Sequence, residues 1–97
     1  MPEVQYSSQA EADLDGIATF TRQKWGQSQA DSYFNSLVDT FETLARSPLI
    51  GRSYSDRYRN WRRFEHQSHV ILYLPIPSGI RIQRLMHHRR KLQGADR

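Results

Sequence analysis

No cysteine occurs among the 97 residues, which excludes disulfides, zinc–thiolate sites and cysteine nucleophiles. Its absence fits a reducing compartment. No apolar run approaches the roughly 20 residues that a membrane span requires. The opening Met1-Pro2-Glu3-Val4-Gln5-Tyr6 has neither the basic nor the apolar segment of a secretory signal, so the expectation is a cytoplasmic protein. There is no glycine-rich phosphate loop, and no serine sits in a strand-turn-helix elbow. A chain of this length makes one domain, residues 1–97. It buries roughly 60–70% of its unfolded surface, which leaves little room for a deep pocket.

Acidic residues are scarce in the second half. Residues 1–48 carry seven Asp or Glu against three Lys or Arg, a net −4; residues 49–97 carry three against eleven, a net +8. Such a split points to an anionic partner for the C-terminal half: nucleic acid, a nucleic-acid enzyme or an acidic protein segment.

Periodicity supplies the elements. Val4 and Tyr6 predict a short strand. Ser8-Gln9-Ala10-Glu11 reads as a capping box, and Leu14, Ile17, Ala18 and Thr21 then keep helical spacing to about Trp25. Gly26 suits a helix end. Ser28-Gln29-Ala30-Asp31 resembles a second capping box, and the stripe Tyr33, Phe34, Leu37, Val38, Phe41 and Leu44 carries a second helix to about Arg46, before Pro48. Strands are predicted at Trp61–Glu65, His69–Leu74 and Ile80–Met86, with a turn at Pro75–Gly79. The expected fold is α+β, β-α-α-β-β-β, an antiparallel sheet with a helical hairpin packed on one face. Residues 88–97 read as a basic tail.

Several sets of residues invite chemistry. His66 with His69 and His87 with His88 suggest metal, but along a strand neither spacing puts both rings on one side, so no metal site is expected. Metal-free RNA cleavage needs an acid, a base and cations; His87, His88, Glu65, Arg62, Arg63 and Arg84 are of the required types. The plainer reading of the same residues is a basic strand face that binds an acidic partner. Aromatic residues interleave with arginine from Arg57 to Phe64, which leaves nucleic-acid stacking open beside a core role for Trp61 and Phe64.

Six stretches in order carry a family likeness: Ala10-x-x-Asp13-Leu14-x-x-Ile17, Trp25-Gly26-x-x-Gln29-Ala30-x-x-Tyr33, Leu44-Ala45-x-x-Pro48-x-x-Gly51-Arg52, Arg62, Ser68-His69-Val70-Ile71-x-Tyr73, and Ile80-x-Ile82-x-Arg84-Leu85-Met86-His87. Over essentially the whole chain they resemble the ParE branch of the ParE/RelE toxins. That resemblance implies a RelE/ParE-like fold and a toxin that inhibits DNA gyrase by binding. It implies no catalytic residue, no cofactor and no sequence-specific contact with nucleic acid, and silencing by a ParD-like antitoxin in a hetero-oligomer. It assigns toxicity to Arg84, His87 and Arg89, with Arg62, and antitoxin contact to Leu14, Ile17, Phe34, Leu37, Phe41, Ile71 and Tyr73. The alternatives are a RelE-like ribosome-dependent mRNA endoribonuclease, or an inactive antitoxin-binding remnant. Active RelE-branch members tend to end the last strand in Tyr or His-Tyr; His88 stands there and no tyrosine follows Tyr73, which favours the non-cleaving branch.

Overall fold

A computed structural model describes residues 2–55, 57–58 and 60–87. Its elements are β1 (Glu3–Tyr6), α1 (Ser8–Trp25), α2 (Gln27–Arg46), β2 (Arg52–Ser53), β3 (Arg62–His66), β4 (His69–Ile76) and β5 (Gly79–His87). The strands form one sheet in the order β1-β5-β4-β3-β2. The expected α+β architecture stands, with two corrections. The two-residue β2 adds an edge strand against β3, and β1 runs parallel to β5, pairing Glu3 with Gly79 and Tyr6 with Ile82. Period-two alternation marks a strand but says nothing of its direction, which the long helical connection decides.

The helices begin earlier than expected, α1 by one residue and α2 by two. Ser7, not Ser8, caps α1, its hydroxyl accepting from the Ala10 N–H at 3.0 Å. Ser7 also donates its own N–H to the Ile82 carbonyl and its hydroxyl to the Gln83 carbonyl, so the chain turns from strand to helix there. Gly26 closes α1 and opens α2 with no side-chain cap, so the Ser28 box does not form. A one-residue link needs φ +88°, which glycine takes without steric cost. Gly79 allows close approach in the same way: a Cβ there would sit 2.0 Å from the Glu3 carbonyl oxygen. β4 runs through Pro75 to Ile76 because β3 pairs no further than Tyr73. Beyond that point proline's missing N–H disrupts no ladder on the β3 side.

The helical hairpin packs on one sheet face. Ala10 and Ile17 of α1 join Tyr33, Leu37, Phe41, Leu44 and Ala45 of α2 against Ile71, Tyr73, Ile80, Ile82 and Leu85. The opposite face has a smaller cluster, Val70, Leu72 and Met86, covered by Tyr54 and Trp61. No helix among the described residues is long and apolar enough to cross a membrane.

Tyr73 ties the loop after α2 to the sheet. Its hydroxyl donates to the Pro48 carbonyl at 2.6 Å and accepts from the Gly51 N–H at 2.9 Å, while Arg62 donates to the Gly51 carbonyl at 3.0 Å. Tyr73→Phe keeps the buried ring and orphans two backbone groups. The expected cost is roughly 1–3 kcal/mol, read as a lower urea midpoint; an unchanged midpoint contradicts this role.

Candidate functional site

β1 shields the outer edge of β5 as far as Ile82, and past that point β5 needs another partner. Asp13, one turn into α1, supplies it. Its carboxylate accepts from the Leu85 N–H at 2.9 Å and from the Arg84 guanidinium at 2.9 and 3.3 Å. That hydrogen bond holds the Arg84 pKa above its ordinary value. By its register with Leu72, Arg84 belongs to the helix-free face, and its head turns over the sheet edge to α1. Arg84 is therefore a clamp between α1 and β5.

Three histidines meet at this end of the sheet, on the helix side. His66 and His69 flank the two-residue turn Gln67-Ser68 and pair directly, and His69 pairs with His87. The expectation that His66 and His69 oppose one another fails because a turn, not a continuous strand, lies between them. His66 spans α2, with Nε2 2.9 Å from the Ser36 hydroxyl and Nδ1 3.1 Å from that of Thr40. Those hydroxyls donate to the Tyr33 and Ser36 carbonyls. His69 is 7% exposed, and its Nδ1 lies 2.7 Å from the Tyr33 hydroxyl. Burial first, then His87 and His66, lowers its pKa from 6.5 to about 4. His87 stands edge-on to it at 5.7 Å between ring centres. Both rings line a groove of about 360 Å³ between α1 and β5, together with Gly16, Ile17, Met86 and the 52% exposed Phe20. Among the described residues no three His, Cys, Asp or Glu side chains gather to hold a metal ion.

The structure scatters the residues assigned from sequence. Arg84 and Arg62 are engaged with Asp13 and Gly51, His87 is exposed on the groove rim, and Arg89 lies outside the described residues, as does His88. Of the antitoxin-contact set, Leu37, Phe41, Ile71 and Tyr73 are the chain's own core and offer no surface, and Ile17 belongs to the same core with only an edge in the groove. An apolar stripe at helical spacing is what an interior requires, and it cannot by itself mark a partner's site. Leu14 and Phe34 stay half-buried at the margin; Phe34, Ala18 and Arg22 line a second groove of about 300 Å³ along the hairpin. The acid–base inventory divides as well. Arg63 and Glu65 pair with each other at 2.7 Å on the helix-free face, whereas His87 faces the helices. Sequence reasoning misses Phe20, names His69 only as a metal candidate and a motif position, and gives Asp13 and Tyr33 no part in the site. Asp13 stands in the first of the six motifs, and nothing in its spacing names Arg84 as its partner.

Comparison with known proteins gives a consistent picture. A family described as "ParE toxin of type II toxin-antitoxin system, parDE" matches residues 4–92. Toxin ParE1 of Caulobacter vibrioides is 35% identical over 89 residues, 90% of each chain. Toxin ParE1 of Mycobacterium tuberculosis is 31% identical over 84 residues, 86% of each. Among solved structures, a chain of the chromosomal ParDE system from P. aeruginosa superposes with a TM-score of 0.72 at 19% identity, covering 90% of this chain and 96% of its own. A chain of the RelBE2 toxin–antitoxin complex from M. tuberculosis superposes with a TM-score of 0.67 at 18% identity, covering 91% and 100%.

The buried histidine makes stability depend on pH. A folded pKa of about 4 against 6.5 unfolded means the unfolded chain binds the extra proton. Stability is therefore full above pH 6.5 and falls as the pH drops toward 4, by up to about 3 kcal/mol. Unfolding monitored by tryptophan fluorescence from pH 7 to 4.5 should show this decline. His69→Gln, which keeps a hydrogen bond to Tyr33, should flatten it, and an equal slope in the variant assigns the effect elsewhere.

Proposed function

Because the chain belongs to the ParE toxin family of type II toxin–antitoxin systems, we propose that it arrests growth in the cytoplasm by binding DNA gyrase, and that a ParD-like antitoxin silences it. The antitoxin reading is supported by the family description, which names the parDE pair, and by the fold shared with a chain of a ParDE system. The gyrase reading rests on the resemblance of the sequence to the ParE branch. One observation favours binding over bond-breaking: two of the arginines that cleavage would recruit are engaged within the fold. Arg84 is committed to Asp13 and Arg62 to the Gly51 carbonyl.

Target contact then falls to His87 on the groove rim and to Arg89, two positions on in the sequence. Arg84 and Arg62 act by positioning the last strand and the loop after α2. Antitoxin contact falls to apolar side chains that remain at the surface, Phe34 and Leu14 at the hairpin margins and Phe20 on the rim. The second reading, ribosome-dependent mRNA cleavage, draws on the His69–His87 pair. Burial keeps His69 a neutral base near pH 7, and His87 lies within reach of the same groove.

Two assays on the purified chain decide between these readings: gyrase supercoiling, and messenger cleavage in a translating extract. The expected result is inhibited supercoiling with intact messenger, relieved by the antitoxin. His87→Ala should weaken inhibition at least tenfold with stability within about 0.5 kcal/mol of the parent. Arg84→Ala should instead destabilise by roughly 1–3 kcal/mol, because it leaves the half-buried Asp13 carboxylate with one partner fewer. Messenger cut at the ribosome and spared by His87→Ala overturns the binding reading.

A further inference from the structure

We infer that the helix-free face of the sheet binds the phosphate backbone of duplex DNA without reading its sequence. The inference deepens the gyrase reading, and rests on it only for where the toxin meets DNA.

The argument starts from how the fold distributes charge. Strand register places Arg52, Arg63, Arg81 and Arg84 on the helix-free face; the Arg84 head turns away to Asp13, and the other three stand against Glu3 and Glu65 among the described residues. The helices on the other side carry six acidic side chains against three basic ones. The split between the halves of the chain thus becomes a split between two faces of a thin molecule. A surface of that polarity attracts a polyanion on one side and repels it on the other.

Local energetics point the same way. Arg52 lies directly opposite Arg63 across the β2–β3 ladder, and like charges so placed destabilise strand pairing. The Arg63–Glu65 bridge is partly exposed, with 33% and 49% of the side chains accessible, and such bridges return little. A phosphate between the two guanidinium groups removes the repulsion and accepts paired hydrogen bonds from either fork.

The aromatic residues decide between nucleic acid and an acidic peptide. Tyr58 and Trp61 stack at 4.4 Å between ring centres, with Tyr54 stacked on Trp61 at 6.3 Å. Tyr54 and Trp61 pack over Val70, Leu72 and Met86, which are 9%, 1% and 6% exposed. The floor is therefore closed. An amphipathic helix needs an open apolar trough for its seam, whereas a phosphate backbone needs cations on a low surface.

The test is fluorescence anisotropy of the full chain with a labelled mixed-sequence duplex of about 30 base pairs, without gyrase, across a salt series. Each phosphate contact adds roughly 0.9 to the slope of log affinity against log salt. The double variant Arg52→Gln/Arg81→Gln should lower the slope by roughly two and weaken binding at least tenfold at low salt, with no loss in melting temperature. Lys24→Gln/Arg46→Gln, on the helices, should change neither. Wild-type slope in the first variant, or equal loss in both, overturns the inference. So does a first variant that keeps DNA and loses the antitoxin, which would make the face a protein site. Because gyrase is absent, DNA binding stands or falls separately from supercoiling inhibition.

Discussion

The Asp13 carboxylate holds together what the backbone leaves apart. β1 is four residues long and the strand it flanks is nine, so more than half of β5 would present an unpaired edge beside the helices. A helical carboxylate meets that need in a way a strand could not. It accepts the Leu85 N–H as a neighbouring strand would, and it neutralises the arginine that precedes it. With β5 pinned, β4 and β3 pair against a fixed template, and the groove beside α1 acquires its width. A charge-assisted, partly buried bond of this kind loses much of its value if either partner is removed, since the other is left poorly solvated. The arginine that looks most functional in the last strand is therefore the one least available to a partner.

A second constraint operates at the seam between α2 and the sheet. Most of the packing there is apolar, but at one end it passes through hydroxyls and imidazoles: Tyr33 to His69, Ser36 and Thr40 to His66. Buried polar groups of this kind hold a unique arrangement because each must find its partner. They also make the seam sensitive to protonation, since a charged imidazole under α2 finds no carboxylate among the groups hydrogen-bonded to it. The seam ends at the groove that His69 and His87 both line.

Charge is arranged on a larger scale. The helices are acidic, the strands and the segments joining them are basic, and the hairpin lies on one face of the sheet. The molecule is about 22 Å through its shortest dimension, so opposite fields stand within two or three Debye lengths of each other at physiological salt. A partner approaching this toxin meets either an acidic helical layer or a cationic sheet, and its orientation is chosen before contact.

The sequence by itself determined the elements and the class. Helical spacing from Ala10 to Arg46 and alternation from Arg62 to Met86 depend on local burial, which each segment expresses alone. The six ordered motifs carried the family, and the charge split pointed to an anionic partner. Tertiary structure decided the rest, because the rest depends on which residues meet across the chain. Asp13 and Arg84 are 71 positions apart, and no periodicity links them. The parallel direction of β1, the pairing of His66 with His69 through a turn, and the withdrawal of Leu37, Phe41, Ile71 and Tyr73 into the core are likewise facts of packing. An apolar side chain reads the same whether its own chain or a partner covers it, and an arginine reads the same whether it is spent or free. Only the fold distinguishes them, by placing a carboxylate beside one arginine and solvent beside another.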